Sequence, residues 1–281
     1  MKPSVHVKMD LYDETCFECC KLITNKYSTS FSKGIKAFNK QFRYPIYAIY
    51  GFVRYADEIV DTFHNHDKAQ LISDFKQDTF KAIDQKISLN PVLHAFQLIV
   101  NQYQIDHNLI SDFLRSMEMD LDHKVYNETD YQTYIHGSAG VIGLMCLQVF
   151  CEGDRQQYEQ LKPMALSLGL GFQKINFLRD IKSDYEDRGR TYFPGIDFKN
   201  FTQQDKQTIE ADIQQDFDKG LEGIQRLPKG VKLGVYIAYR YYLQLFKKIV
   251  AMPVDDLVAR RVSVNNAHKA WLYLTALIGF S

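Results

Sequence analysis

The sequence predicts an all-α fold, on three observations. Apolar residues recur at spacings of three and four over long windows, while the strict alternation of a half-buried strand is scarce. Only 15 Gly and 7 Pro punctuate 281 residues, so the elements between breaks are long. The breaks carry helix-start chemistry, as at Asn90-Pro91, an N-cap followed by Pro at the first helical position.

Taken in order, the pattern predicts helices over about 9–27, 41–64, 67–86, 91–104, 107–123, 130–151, 155–187, 203–226, 230–250 and 264–280. The first carries Cys16, Cys19 and Cys20 within about one turn. Cys16-x-x-Cys19 has no second pair downstream, and Cys146 and Cys151 are poorly spaced for one, so all five cysteines read as free thiols in a reducing cytoplasm. After the second helix, His64-Asn65-His66-Asp67 reads as a solvated turn rather than a metal site. Thr129-x-x-Gln132 resembles a capping box for the sixth helix, and Thr202-x-x-Asp205 a near match for the eighth. Phe193-Pro194-Gly195 and Leu227-Pro228-Lys229-Gly230 are plain breaks, the second opening the ninth helix.

Composition bounds the rest. Lys and Arg total 34, as do Asp and Glu, and a formal net charge of zero argues against a nucleic-acid binder. No linker or repeat interrupts the chain, so residues 1–281 read as one domain. Met1 to Glu14 lacks the apolar core of a signal peptide. The longest uncharged stretch, Gly137 to Cys151, falls short of the roughly 18 to 20 residues a bilayer crossing needs. The apolar run from Ala270 to Phe280 is likewise too short to span, and is read either as core packing or as a peripheral membrane contact. His136 reads as a core histidine or as a cavity residue. Aromatics make up 14% of the chain, enough to line a cavity as well as fill a core.

Two helices carry acidic stripes that a core would not select. Tyr50, Arg54, Asp57 and Asp61 are spaced by four, three and four, hence on one face, with apolar Phe52, Val53, Ile59 and Val60 beside them. Gln173, Asn176, Asp180 and Asp184 repeat the arrangement, preceded by Gly169-Leu170-Gly171-Phe172, whose small residues permit close helix approach. Two carboxylates about 5 Å apart repel by roughly 3 kcal/mol at an effective dielectric of about 20. Hard divalent cations with oxygen ligands offset that, and Mg²⁺ favours phosphate co-ligands. The stripes therefore suggest a diphosphate held through Mg²⁺, with Mn²⁺ as the alternative ion. The competing reading is two solvated faces with Arg54 and Arg179 as ion-pair partners.

These residues resemble the squalene/phytoene synthase family. Arg54-x-x-Asp57-Glu58-x-x-Asp61 is similar to its first signature. Gln173-x-x-Asn176-x-Leu178-Arg179-Asp180-x-x-x-Asp184, followed by Gly189-Arg190-x-Tyr192-Phe193-Pro194, is similar to its second. Tyr27-Ser28-x-Ser30-Phe31 and Tyr134-x-x-Gly137-x-Ala139-Gly140-x-x-Gly143 extend the likeness, with a weaker match at Arg261-Val262-x-Val264 and Lys269. The resemblance implies the all-helical isoprenoid-synthase fold, with Asp-rich helices facing a central cavity, and head-to-head condensation of two prenyl diphosphates. It implies Asp57 and Asp61 on one metal-bound diphosphate, Asp180 and Asp184 on the other, and Asn176 as a further metal ligand beside Gln173. Substrate contacts are implied for Ser28, Ser30, Phe31, Tyr50, Arg54, Tyr134, Ala139 and Tyr242. Arg261 and Lys269 are either cationic lids or surface residues. Ser183 departs from relatives that carry an acidic residue there, and Tyr185 to Arg188 is a residue longer than in some members.

The implied reaction joins two geranylgeranyl diphosphates through a cyclopropyl diphosphate to phytoene, in carotenoid biosynthesis. Its rivals use farnesyl diphosphate: squalene synthase, which needs NADPH, and dehydrosqualene synthase, which does not. A non-catalytic assembly relative is the reading from another class, opposed by four mutually repelling aspartates that a scaffold has no use for. Oligomeric state does not follow from the residues.

Overall fold

Asp10 opens the first helix, α1 (Leu11–Tyr27), by accepting from the Asp13 N–H at 2.8 Å. Where α1 stops, Ser28 caps a second helix, α2 (Thr29–Lys36), accepting from the Phe31 N–H at 3.2 Å. The sequence pattern does not reveal α2, because two turns are too short for periodicity to register. The same holds for α12 (Val254–Ala259), of 6 residues. The computed structural model describes residues 10–122, 125–187, 189–196 and 198–279, so the predicted first residue of α1, Met9, and the predicted last of the chain's final helix, Phe280, lie outside the described residues.

The other expected helices are present as α3 (Lys40–Thr62), α4 (Lys68–Gln85), α5 (Pro91–Tyr103), α6 (His107–Asp122), α9 (Arg155–Glu186), α10 (Gln203–Arg226), α11 (Lys229–Val250) and α13 (Asn266–Gly279). The expected 130–151 helix is three pieces: α7 (Glu128–Ile135), a π-helical turn (His136–Gly140) and α8 (Val141–Cys151). Among the described residues there is no strand, only an isolated bridge between Val125 and Thr191. Asn90 and Pro91 start α5 as expected, the Asn side chain accepting from Val92 N–H at 3.0 Å. Thr202 and Asp205 form a complete capping box on α10. For α7 the cap lies two residues earlier than Thr129: Asn127 accepts from Asp130 N–H at 2.9 Å.

Two cores form. One joins α1, α3, α4, α5, α6 and α8, and at its centre Phe52 stacks on Phe96 with ring centroids 3.9 Å apart, fixing α3 against α5. The other joins α7, α9, α10, α11 and α12. Between them lies a cavity of about 650 Å³, lined by side chains of both cores. The aromatic excess divides accordingly, some rings filling cores and others, such as Phe31, Phe38, Phe172 and Tyr242, lining the cavity.

Taken together, α7, the π turn and α8 make a run of 24 residues, Glu128–Cys151, long and apolar enough to cross a membrane. The uncharged stretch alone understated it. Within the fold 72% of its most apolar window is buried, so it is a core element.

The cavity wall depends on backbones in contact. A Cβ on Gly169 would stand 2.7 Å from the Ala139 carbonyl oxygen, and one on Gly143 2.8 Å from that of Ala165. Neither partner is a flexible side chain that could move aside. Gly169→Ala is therefore expected to destabilise by about 1–3 kcal/mol through overpacking, read in urea or thermal melts. An unchanged midpoint would mean that α9 does not press on the π turn.

Candidate active site

The buried face of α3 is held by Phe52, and this turns Tyr50, Arg54, Asp57 and Asp61 into the cavity. Arg54 pairs with Asp57 and Glu58 of its own helix, and its guanidinium carbon lies 4.3 Å from the Tyr27 ring centroid. Its Nε is buried without a hydrogen-bond partner. Burial, followed by repulsion from Asp61, pushes the Asp57 carboxyl up to about 7 against the pull of Arg54. Burial also pushes the Tyr50 hydroxyl up to about 12.

From α9, Gln173, Asn176, Asp180 and Asp184 line the same cavity. Asn176 donates to Gln173 Oε1 at 3.1 Å and accepts from the Tyr242 hydroxyl at 3.3 Å, so α11 is tied to this stripe. Asp180 accepts from Arg179 Nε at 3.0 Å and from Arg261 Nε at 2.7 Å. Burial works to raise its pKa, yet the two guanidinium groups hold it below the ordinary carboxylate value. Both acidic stripes have arginine partners, but they differ in balance: at Asp180 the guanidinium groups outweigh burial, whereas at Asp57 burial and the neighbouring Asp61 outweigh Arg54.

A fifth carboxylate joins the site. Asp120 of α6 is 8% exposed and accepts from the hydroxyls of Tyr134 at 2.8 Å, Tyr126 at 3.1 Å and Tyr192 at 3.4 Å. Arg190 donates to the Asp120 carbonyl at 2.9 Å and to Asp61 Oδ1 at 3.1 Å, with its Nη1 3.7 Å from Asp120 Oδ1. Burial raises the Asp120 carboxyl to about 6, with Arg190 opposing the rise. Sequence reasoning missed Asp120, although a signal existed. It follows Phe113 and Met117 at helical spacing, a charge where the buried stripe calls for an apolar residue.

Of the residues expected from the sequence to hold substrate or metal, all but Ser30 and the alternative lid residue Lys269 line the cavity. Ser28 is the cap of α2 and lines the cavity, whereas Ser30, in the first turn of that helix, does not. Phe31 lies between Tyr50 and Tyr242, at centroid distances of 5.9 and 6.2 Å. Ala139 and Tyr134 come from the π turn and the helix before it. Arg261 reaches the site through Asp180, whereas Lys269 bonds Thr29 Oγ1 at 3.3 Å and sits over the Tyr241 ring. His136 is neither core nor cavity: it is half-exposed, with Nε2 3.9 Å from Asp112. His64 contacts Lys68 and Asp67 caps α4, as a solvated turn requires. All five cysteines are free, and burial raises the Cys20 thiol well above its ordinary value.

Among the described residues no three His, Cys, Asp or Glu side chains converge into a ready-made metal cage. The donors are oxygens, offered as one pair per helix around one cavity, with Asp57 poorly compensated. That set fits Mg²⁺, which is held through one or two carboxylates and completes its shell with substrate phosphates and water.

The sequence profile of squalene/phytoene synthases matches residues 24–268, a span that includes both acidic stripes and Arg261. The chain belongs to the squalene/phytoene synthase family. Members of this family are prenyltransferases using a divalent metal with prenyl diphosphates, and this chain is a prenyltransferase, so the scaffold reading falls. A phytoene synthase of Arthrospira platensis is 28% identical over 83% of each chain. A 4,4'-diapophytoene synthase of Staphylococcus haemolyticus is 27% identical over 71% of this chain and 69% of its own. In fold, the chain is similar to a dehydrosqualene synthase crystallised with a ligand, at a TM-score of 0.79 and 20% identity over 95% and 97% of the two chains. It is also similar to a squalene synthase from Alicyclobacillus acidocaldarius, at a TM-score of 0.74 and 18% identity over 87% and 98%. The all-helical isoprenoid-synthase architecture is thereby established for this family member.

The raised carboxyls have a measurable consequence. A carboxyl whose pKa is higher folded than unfolded takes up protons on folding, so stability falls as pH rises between the two values. Asp57, at about 7 against an ordinary 3.8, defines that window, and Asp120 acts in the same direction. The metal-free protein is expected to lose thermal stability from about pH 4 to about pH 7, and Asp57→Asn to flatten the slope. Melting curves in EDTA check this; an equally steep slope in the variant would assign the effect elsewhere.

Proposed function

We propose that this synthase joins two geranylgeranyl diphosphates head to head, through a cyclopropyl diphosphate, to phytoene. The observation that carries the reading is the cavity itself. It extends from the acidic stripes along a wall of small residues, Gly34, Gly143, Gly220, Gly223 and Gly234, into apolar space lined by Phe38, Phe150, Leu161 and Leu227. Room of that kind suits two long prenyl chains side by side. The broad match to a phytoene synthase supports the C40 choice.

Within this reading, Asp57 and Asp61, and Asp180 and Asp184 with Asn176, hold Mg²⁺. The metal supplies Lewis-acid neutralisation of the leaving diphosphates. The chain's own residues do the rest. Arg54, Ser28 and Tyr50 present donors toward one diphosphate, Arg179 and Arg261 toward the other. The apolar wall excludes water, which would trap a carbocation. Aromatic faces such as Tyr134, Phe172 and Tyr242 tolerate positive charge, at about 0.5–2 kcal/mol per contact.

A C30 reading has its own support in the diapophytoene synthase relative. Purified protein with Mg²⁺ and either geranylgeranyl or farnesyl diphosphate, with and without NADPH, separates them by product mass. A C40 hydrocarbon independent of NADPH fits phytoene synthase. A C30 product moves the assignment to dehydrosqualene, or to squalene where NADPH is needed.

The reading includes a reducing cytoplasm, supported by five free thiols, and a peripheral membrane contact through α13. There Trp271 and Leu274 lie 55% and 57% exposed, three residues apart. Pelleting with liposomes is expected for the full chain and lost in Trp271→Ser/Leu274→Ser; equal pelleting of the two would remove α13 from the membrane.

A further inference from the structure

On α8, Ile142, Cys146 and Phe150 stand one turn apart and line the cavity as a ladder. The ladder leads away from the acidic stripes. Tyr134, just before the π turn, donates to Asp120 at 2.8 Å, and Arg190 joins Asp120 to Asp61, so the level of Tyr134 marks the diphosphate end. From there α7, the π turn and α8 form one continuous run. At a rise of 1.5 Å per residue it carries Cys146 about 18 Å and Phe150 about 24 Å beyond Tyr134.

The last two rungs differ in kind. Cys146 is small and keeps accessible surface, although burial alone pushes its thiol up to about 12. That surface therefore faces the cavity and not bulk water. Phe150 is large, buried and fixed. Phe38 and Phe42 meet its ring edge-on, at centroid distances of 5.3 and 6.2 Å. Phe38 is backed in turn by α11 at Gly234, where a Cβ would have no room beside its ring. A ring packed in this way does not swing aside.

We propose that α8 measures the prenyl tail: Cys146 is a specificity-determining residue whose small side chain admits a fourth isoprene unit, and Phe150 is the floor that refuses a fifth. This rests on the head-to-head reading of the site and gives its substrate a length. An isoprene unit adds four main-chain carbons, about 5 Å when extended at carbon–carbon bond lengths of about 1.5 Å. With the diphosphate at the stripes, a tail of three units ends about 15 Å down, short of Cys146. A fourth unit reaches about 20 Å, past Cys146 and short of Phe150, whereas a fifth would need about 25 Å and meet the ring. Position 146 thus lies where tails of three and four units differ. A larger side chain there removes space that only the longer tail uses.

The test sets prenyl diphosphates of three, four and five isoprene units in competition, with Mg²⁺, for the full-length wild type, Cys146→Leu, Cys146→Phe and Phe150→Leu. Consumption of each substrate is read by mass, beside the melting temperature of each protein. The wild type should take the four-unit substrate in preference to the other two. In Cys146→Phe the four-to-three ratio should fall by about tenfold or more, since even one methylene of misfit in an apolar pocket is worth about 10–200-fold. Cys146→Leu should fall between, and it carries the test where the larger ring prevents folding. Phe150→Leu should raise the five-to-four ratio. A folded Cys146 variant with the wild-type ratio would overturn the proposal, as would an equal loss of both substrates, which is the mark of a packing defect. A wild type that prefers the three-unit substrate would overturn it too, while hydrocarbon made from that substrate would leave the head-to-head reading standing. Consumption of no substrate by the wild type would overturn the head-to-head reading itself, and this inference with it.

Discussion

Asp57→Asn is expected to lower product formation by about 10³-fold or more while leaving the protein folded. The substitution keeps the shape of the side chain and removes one negative charge from a pair that must attract a divalent cation. Metal neutralisation of a departing phosphoryl oxygen is worth several kcal/mol, and about 4 kcal/mol corresponds to 10³ in rate. Stability moves the other way. The charge removed is one that burial and Asp61 already disfavour, and Arg54 retains Glu58 as a partner. The metal-free variant is therefore expected to melt no lower than wild type at pH 7. Product formation and melting temperature measured on one preparation decide the matter. A variant that loses activity together with several degrees of melting temperature would make Asp57 a structural residue.

The features that made Asp57 legible also mark the limits of the sequence. Side-chain spacing along one helix is set by helical geometry, so the sequence alone puts Tyr50, Arg54, Asp57 and Asp61 on one face. The same holds for Gln173 through Asp184. Which helices approach one another is a matter of packing, and no periodicity records it. The Arg190 bridge from Asp61 to Asp120 spans residues 61, 120 and 190, three segments far apart in the chain. The π turn was equally hidden, because a one-residue change in hydrogen-bond spacing leaves the apolar pattern of 130–151 nearly intact. Ser30 shows the converse: it matches a motif, yet it is not among the residues that line the cavity, and α2, on which it lies, is too short for periodicity to reveal.

Asp120 carries the second large expectation. Its carboxylate accepts from three tyrosine hydroxyls and stands beside an Arg190 that is itself buried. Truncation in Asp120→Ala leaves three buried hydroxyls short of an acceptor and a buried guanidinium short of one counter-charge. Breaking such a pair from one side costs about 3–5 kcal/mol, more than the pair contributes in its intact form. Asp120→Asn preserves packing and an acceptor oxygen, so its loss of stability should be much smaller. Its effect falls on Asp61 instead. With Asp120 neutral, Arg190 is drawn to Asp61, its remaining carboxylate within 3.1 Å, and the positive charge there competes with a divalent cation. The Mg²⁺ concentration for half-maximal product formation should therefore rise in Asp120→Asn, by about tenfold for each 1.4 kcal/mol of added competition. Denaturant unfolding ranks the two variants, and Mg²⁺ titration of activity reads the second effect. An Asp120→Ala protein as stable as wild type would refute the buried network. An unshifted Mg²⁺ midpoint in Asp120→Asn would confine Asp120 to holding the fold, with no bearing on how Asp61 meets the metal.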